Sequence, residues 1–123
     1  MRVGAACLGA LLLAACSPKL EELSRQRTND GLVEAATFAR QTDATVPTPT
    51  EIYVLPAGSG PSGEAVWRAD KVRGLMLSWS SDSTLSVQAE EARVFLERDH
   101  VEVSINGGPL RKVEVKYRIE KKL

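Results

Sequence analysis

The chain has 123 residues, 43% of them hydrophobic and 26% charged, with 16 basic side chains against 16 acidic ones. These are ordinary values for one globular domain, and the balanced charge argues against nucleic acid as a partner, because non-specific binding to phosphates needs a basic excess. Two cysteines, Cys7 and Cys16, both stand near the N-terminus, which leaves the rest of the chain no thiol pair for a disulfide and no cysteine for a metal site.

One positive charge, Arg2, precedes an uncharged run from Val3 to Ala15 that carries Leu8, Leu11, Leu12 and Leu13 among small residues. This is the n-region and h-region pattern of a secretory signal, and it is too short for a bilayer-spanning helix of about 20 residues. The run ends in Leu13-Ala14-Ala15-Cys16, which resembles the lipobox of bacterial lipoproteins. That resemblance rests on four residues in their expected place. It implies cleavage between Ala15 and Cys16, a diacylglycerol thioether on the Cys16 thiol, and acylation of the freed amine. A thiol suits this role because its thiolate is a good nucleophile near neutral pH. The alternative is ordinary secretory cleavage that leaves Cys16 free. Cys7 is a poor rival, since Gly4-Ala5-Ala6 offers no leucine before it.

Two or three acyl chains, at about 0.8 kcal/mol per buried methylene, would make the anchoring effectively permanent. Ser17 follows the cysteine where an aspartate would resemble the inner-membrane retention signal of Gram-negative bacteria. The expected location is therefore the cell envelope, on the periplasmic face of the outer membrane.

The chain thus divides into a signal peptide at 1–15, a lipidated Cys16 with a tether through residue 29, and one β-rich domain at 30–123. Within the tether, Pro18 discourages a helix, and Leu20, Leu23 and the Glu21–Arg25 pair suffice for one helical turn at most. A mobile linker is the expectation, because so short a helix has little on which to bury two leucines. Its 13 residues from Ser17 to Asn29 would reach about 40 Å at about 3.3 Å each.

From Asp30-Gly31 onward the dominant period is two, the mark of half-buried strands. Strands are predicted at about 32–38, 51–56, 64–69, 72–79, 84–88 and 92–98. Leu75, Leu77 and Trp79 share one face, and Ser80-Ser81-Asp82-Ser83 supplies turn formers before Leu85 and Val87 resume the alternation. Val101, Val103 and Ile105, and then Val113, Val115, Tyr117 and Ile119, form two more alternating runs around Asn106-Gly107-Gly108, a sequence that tolerates the positive φ of a tight hairpin. Loops are expected at 41–50, threaded with Thr and Pro, and at 57–63, nearly all Gly, Ser and Pro. The fold class is all-β: a small antiparallel meander, sandwich or partly open barrel of about seven or eight short strands.

Asn29-Asp30-Gly31-Leu32 and the run from Trp79 to Leu85 resemble blade edges of β-propellers, but there is room for only one or two blades. The order Asp30-Gly31, Thr-rich loop, Glu51-Ile52-Tyr53-Val54-Leu55-Pro56, Val72-Arg73-Gly74-Leu75 and Ala92-Arg93-Val94-Phe95 is similar to a group of small bacterial lipoproteins and membrane-attached proteins. It covers most of residues 28–105 through loose motifs, and it implies no particular activity.

Several residues invite a chemical reading. Gly58-Ser59-Gly60-Pro61-Ser62-Gly63 has the spacing of a dinucleotide-binding loop, but that motif needs a helix to begin at the loop, and Glu64-Ala65-Val66-Trp67-Arg68 reads as a strand. No nucleotide is expected. His100, the only histidine, lies next to Asp99 and on one strand face with Glu102, as a base oriented by a carboxylate would. The alternation puts that face in solvent, and no serine stands in a nucleophile-elbow setting. Glu90-Glu91 are adjacent acids read as turn residues rather than glycosidase carboxylates.

The last fifteen residues concentrate Arg111, Lys112, Lys116, Arg118, Lys121 and Lys122, a strip that either protects an edge strand or faces an anionic polymer or lipid. The expectation is no catalytic centre, no metal and no cofactor. The domain would work by contact with another envelope protein or polymer; an inhibitor or immunity protein against a toxin or lytic enzyme is the alternative, and a glycan-acting enzyme the third reading.

Overall fold

The computed structural model describes residues 19–41 and 48–123. The expected signal segment, the junction at Ala15 and Cys16, and residues 42–47 of the Thr-rich loop lie outside the described residues.

The described chain is all-β, as its period-two pattern requires. Its strands are β1 (Leu20–Arg27), β2 (Val33–Arg40), β3 (Thr50–Pro56), β4 (Trp67–Arg73), β5 (Met76–Ser81), β6 (Thr84–Glu97), β7 (His100–Ser104) and β8 (Leu110–Lys122). They form one open sheet in the order β1-β2-β3-β4-β6-β8-β7, with β5 also on β6. β1, β2 and β3 are an antiparallel meander. β4 and β5 follow one another along the same edge of β6, like one interrupted antiparallel strand. On the other edge of β6 lies β8, parallel to it, with β7 as its antiparallel neighbour. That parallel pair is the exception in an otherwise antiparallel sheet. It arises because the β7–β8 hairpin reverses the chain again after β6 and places its second strand inside.

The sheet bends over on itself, so that β1 approaches β5 and β3 approaches β7. Trp79 of β5 donates its indole N–H to the carbonyl of Gln26 in β1 at 2.9 Å. The enclosed face carries Val33, Ile52, Trp67, Leu85, Val87 and Val113, all fully buried. Each such side chain contributes about 1.5–3 kcal/mol of burial. On the other side of β2 and β3, Phe38 and Tyr53 meet edge to face at 5.6 Å among Ala36, Leu55 and Ala65.

Three expectations need correction. Residues 20–27 are a strand and not part of a mobile tether. The register with β2 slips at Leu23, between Glu22↔Phe38 and Ser24↔Thr37, which scrambles the alternation that would have revealed the strand. The segments 84–88 and 92–98 are one continuous strand, with Glu90 and Glu91 in its middle rather than in a turn. The interruption falls instead on its partner, where β4 is irregular at Lys71 and breaks off before β5 at Gly74, both with positive φ. Gly74 is required there, since a Cβ would collide with the Glu90 side chain as well as strain the backbone. The strand expected at 64–69 begins only at Trp67; the loop before it bonds Glu34 and Arg25 through Gly58 and Ser59 and packs Ala65 against Phe38 and Tyr53.

The hairpin is as expected. Val101 pairs with Val113, Asn106 and Gly107 both have positive φ, and the Gly108 N–H donates to the Ile105 carbonyl at 2.8 Å. Two left-handed central residues are what a type I′ turn demands.

Candidate functional site

Two of the polar clusters among the described residues bear on a possible site. The first is the surface of β2 and β3 turned away from the main core, where strand alternation puts Glu34, Ala36, Phe38 and Arg40 beside Glu51, Tyr53 and Leu55. Glu51 has no solvent exposure. It accepts hydrogen bonds from Arg40 Nε and Nη2, both at 3.0 Å, from the Tyr53 hydroxyl at 3.0 Å and from Arg68 Nε at 2.8 Å. Burial pushes its carboxyl up, but the bonds from Arg40, Arg68 and Tyr53 outweigh burial and hold it below the ordinary value.

Glu34 repeats the arrangement one step along. It accepts from the Gly58 backbone N–H at 2.7 Å, from Arg25 at 3.1 Å and from Arg27 at 3.4 Å. The Gly58 amide is the largest influence that lowers its pKa. Arg25 also donates to the Ser59 carbonyl at 2.9 Å. The start of the glycine-rich loop thus covers Glu34.

The second place is an open depression lined by Glu97, Arg98, Asp99, His100, Tyr117 and Lys122. His100 Nδ1 lies 2.7 Å from Asp99 Oδ1, so its carboxylate neighbour is Asp99 and not Glu102. Both side chains are more than half exposed. The His100 contact holds the Asp99 carboxyl below its usual range. Tyr117 donates to the carbonyls of Arg98, at 2.6 Å, and Val66, at 3.1 Å. Burial pushes its hydroxyl pKa well up. Lys122 is engaged by Glu97 at 2.8 Å.

The remaining expected residues are dispersed. Glu90 pairs with Arg73 at 3.2 Å and Glu91 with Lys121 at 3.6 Å, two ion pairs on different faces of one strand. Among the described residues no group of three His, Cys, Asp or Glu side chains is placed to hold a metal ion. The basic strip is divided as well. Arg111 points to the far end of the sheet and bonds Asp30 at 2.6 Å, while β8 is an outer strand only beyond the stretch that β7 covers. The edge-protecting reading therefore fits Lys116, Arg118 and Lys122 and not Arg111.

Sequence reasoning missed the Glu51 and Glu34 clusters. A signal for Glu51 was present: Glu51-Ile52-Tyr53-Val54-Leu55 has no polar alternation, so both faces of that strand had to be buried, the glutamate included. No protein-family model matches the chain, and neither a curated protein nor a solved structure matches it at a significant level.

Proposed function

We propose that this is the precursor of a lipid-anchored envelope protein whose small β domain acts by contact with another envelope component rather than by catalysis. The observation that carries the reading is the uncharged run from Val3 to Ala15 ending in Leu13-Ala14-Ala15-Cys16, followed within a few residues by the first strand of a folded domain. Cys16 bears the lipid, and Ala15–Cys16 is the bond cut. Ser17 after the cysteine supports the outer membrane's periplasmic leaflet as the destination.

A contact role is supported by how the titratable groups are spent. The buried carboxylates are saturated by arginines, and the one histidine lies in solvent beside an equally exposed aspartate. Catalysis needs a nucleophile or base converging with a second group in a partly dry site. Metabolic labelling with palmitate tests the anchor: wild-type protein incorporates label, and Cys16→Ala protein incorporates none and keeps its unprocessed length. Equal labelling of the two would refute the assignment.

A further inference from the structure

The lipid and the sheet are much closer than a tether through Asn29 would allow. β1 begins at Leu20, so only Ser17, Pro18 and Lys19 separate it from Cys16. Four peptide steps span at most about 13 Å at about 3.3 Å each. One end of the sheet is therefore held within reach of the headgroups, whichever way those three residues turn.

Strand register identifies that end. Leu20 pairs with Arg40, Ala39 with Thr50, and Thr50 with Ala69. Asp70 pairs with Arg93, and Ala92 with Lys122. Here Phe95 and Leu123 are 56% and 49% exposed and line one depression. The carboxylates of Glu51, Asp70 and Glu90 are already engaged by Arg40, Arg93 and Arg73 respectively. Lys19 and Lys71, both exposed, have no ion pair with a described residue. At the opposite end stand the turns that carry Asp30 and Asp82.

We propose that in the anchored protein this end of the sheet rests on the anionic headgroup layer, with Phe95 and Leu123 in the interface and Lys19 and Lys71 on lipid phosphates. The turn at Asp82 then points away from the membrane and is the end open to a partner. Exposed apolar side chains and ammonium groups at one end of a fold are the composition that such an interface favours. The proposal rests on Cys16 being lipidated.

The test uses the lipidated protein in phosphatidylethanolamine–phosphatidylglycerol vesicles doped with nitroxide lipid. Lipidation consumes the Cys16 thiol, so a single introduced cysteine takes the fluorophore. Probes at Phe95→Cys and, independently, Leu123→Cys should be quenched several-fold more than a probe at Ser83→Cys beside the distal turn. Acylated protein with equal quenching at the three positions overturns the proposal and leaves the anchor standing. An intact mass without the diacylglycerol increment overturns the anchor, and the proposal with it.

Discussion

Asp30 and Arg111, 81 positions apart in the chain, meet at 2.6 Å and tie the β1–β2 turn to the beginning of β8. Arg111 also donates to the Asp82 carbonyl at 3.2 Å, and Asp82 accepts from the Asp30 backbone N–H at 3.1 Å. Three turns or strand ends from both halves of the bent sheet are thereby pinned together at the end away from residue 19.

This pin has a pH signature. Arg111, followed by Thr28, holds the Asp30 carboxyl down to about 2 from the ordinary 3.8. The fold favours the ionised form, so the contribution is complete above the unfolded value and is lost as pH falls through the folded one. Asp30→Asn should melt below wild type at about pH 6, and the gap should narrow as pH falls below about 4 and close only near pH 2. A gap that stays constant across that range would show that Asp30 titrates normally in the fold.

Glu51 gives a second prediction. Glu51→Ala removes the acceptor of two arginines and a tyrosine hydroxyl. Arg40 and Arg68 are each partly exposed and can rehydrate, so the loss should be about 2–3 kcal/mol, below the range for a fully enclosed pair. Urea unfolding reads it. A change under about 0.5 kcal/mol would mean that the cluster contributes nothing net.

The β7–β8 hairpin gives a third. Val115, on the buried face of β8, pairs laterally with Leu85. Val115→Asp would bury an unpaired charge at a cost of about 4 kcal/mol or more, a large share of ordinary domain stability. His100→Ala, on the exposed face, should change stability by no more than about 0.5 kcal/mol and leave any cellular phenotype intact. Loss of function in stably folded, lipidated His100→Ala protein would promote the Asp99–His100 depression to an active site.

What the sequence disclosed follows from which signals are local. The Val113 to Ile119 alternation and the Asn106-Gly107 turn are properties of neighbouring residues, and that hairpin was readable. β1 was not, because the slip at Leu23 breaks any period of two across Leu20 to Arg27, and only the edge of β2 makes it a strand. The parallel placement of β8 beside β6 was equally hidden, since it depends on how distant strands stack. Arg68 and Arg40 converge on Glu51 from two strands flanking β3, a meeting that no spacing along the chain encodes. The Cys16 motif, by contrast, is wholly local.

That motif carries the central claim, and the N-terminal peptide of the mature protein tests it most directly. Trypsin cleaves after Lys19 and releases Cys16-Ser17-Pro18-Lys19. In protein purified from membranes, its mass should exceed that of the bare peptide by a diacylglycerol group plus an amide-linked acyl chain. A peptide beginning at Cys16 with a free thiol, or protein that retains residues 1–15, would contradict the account.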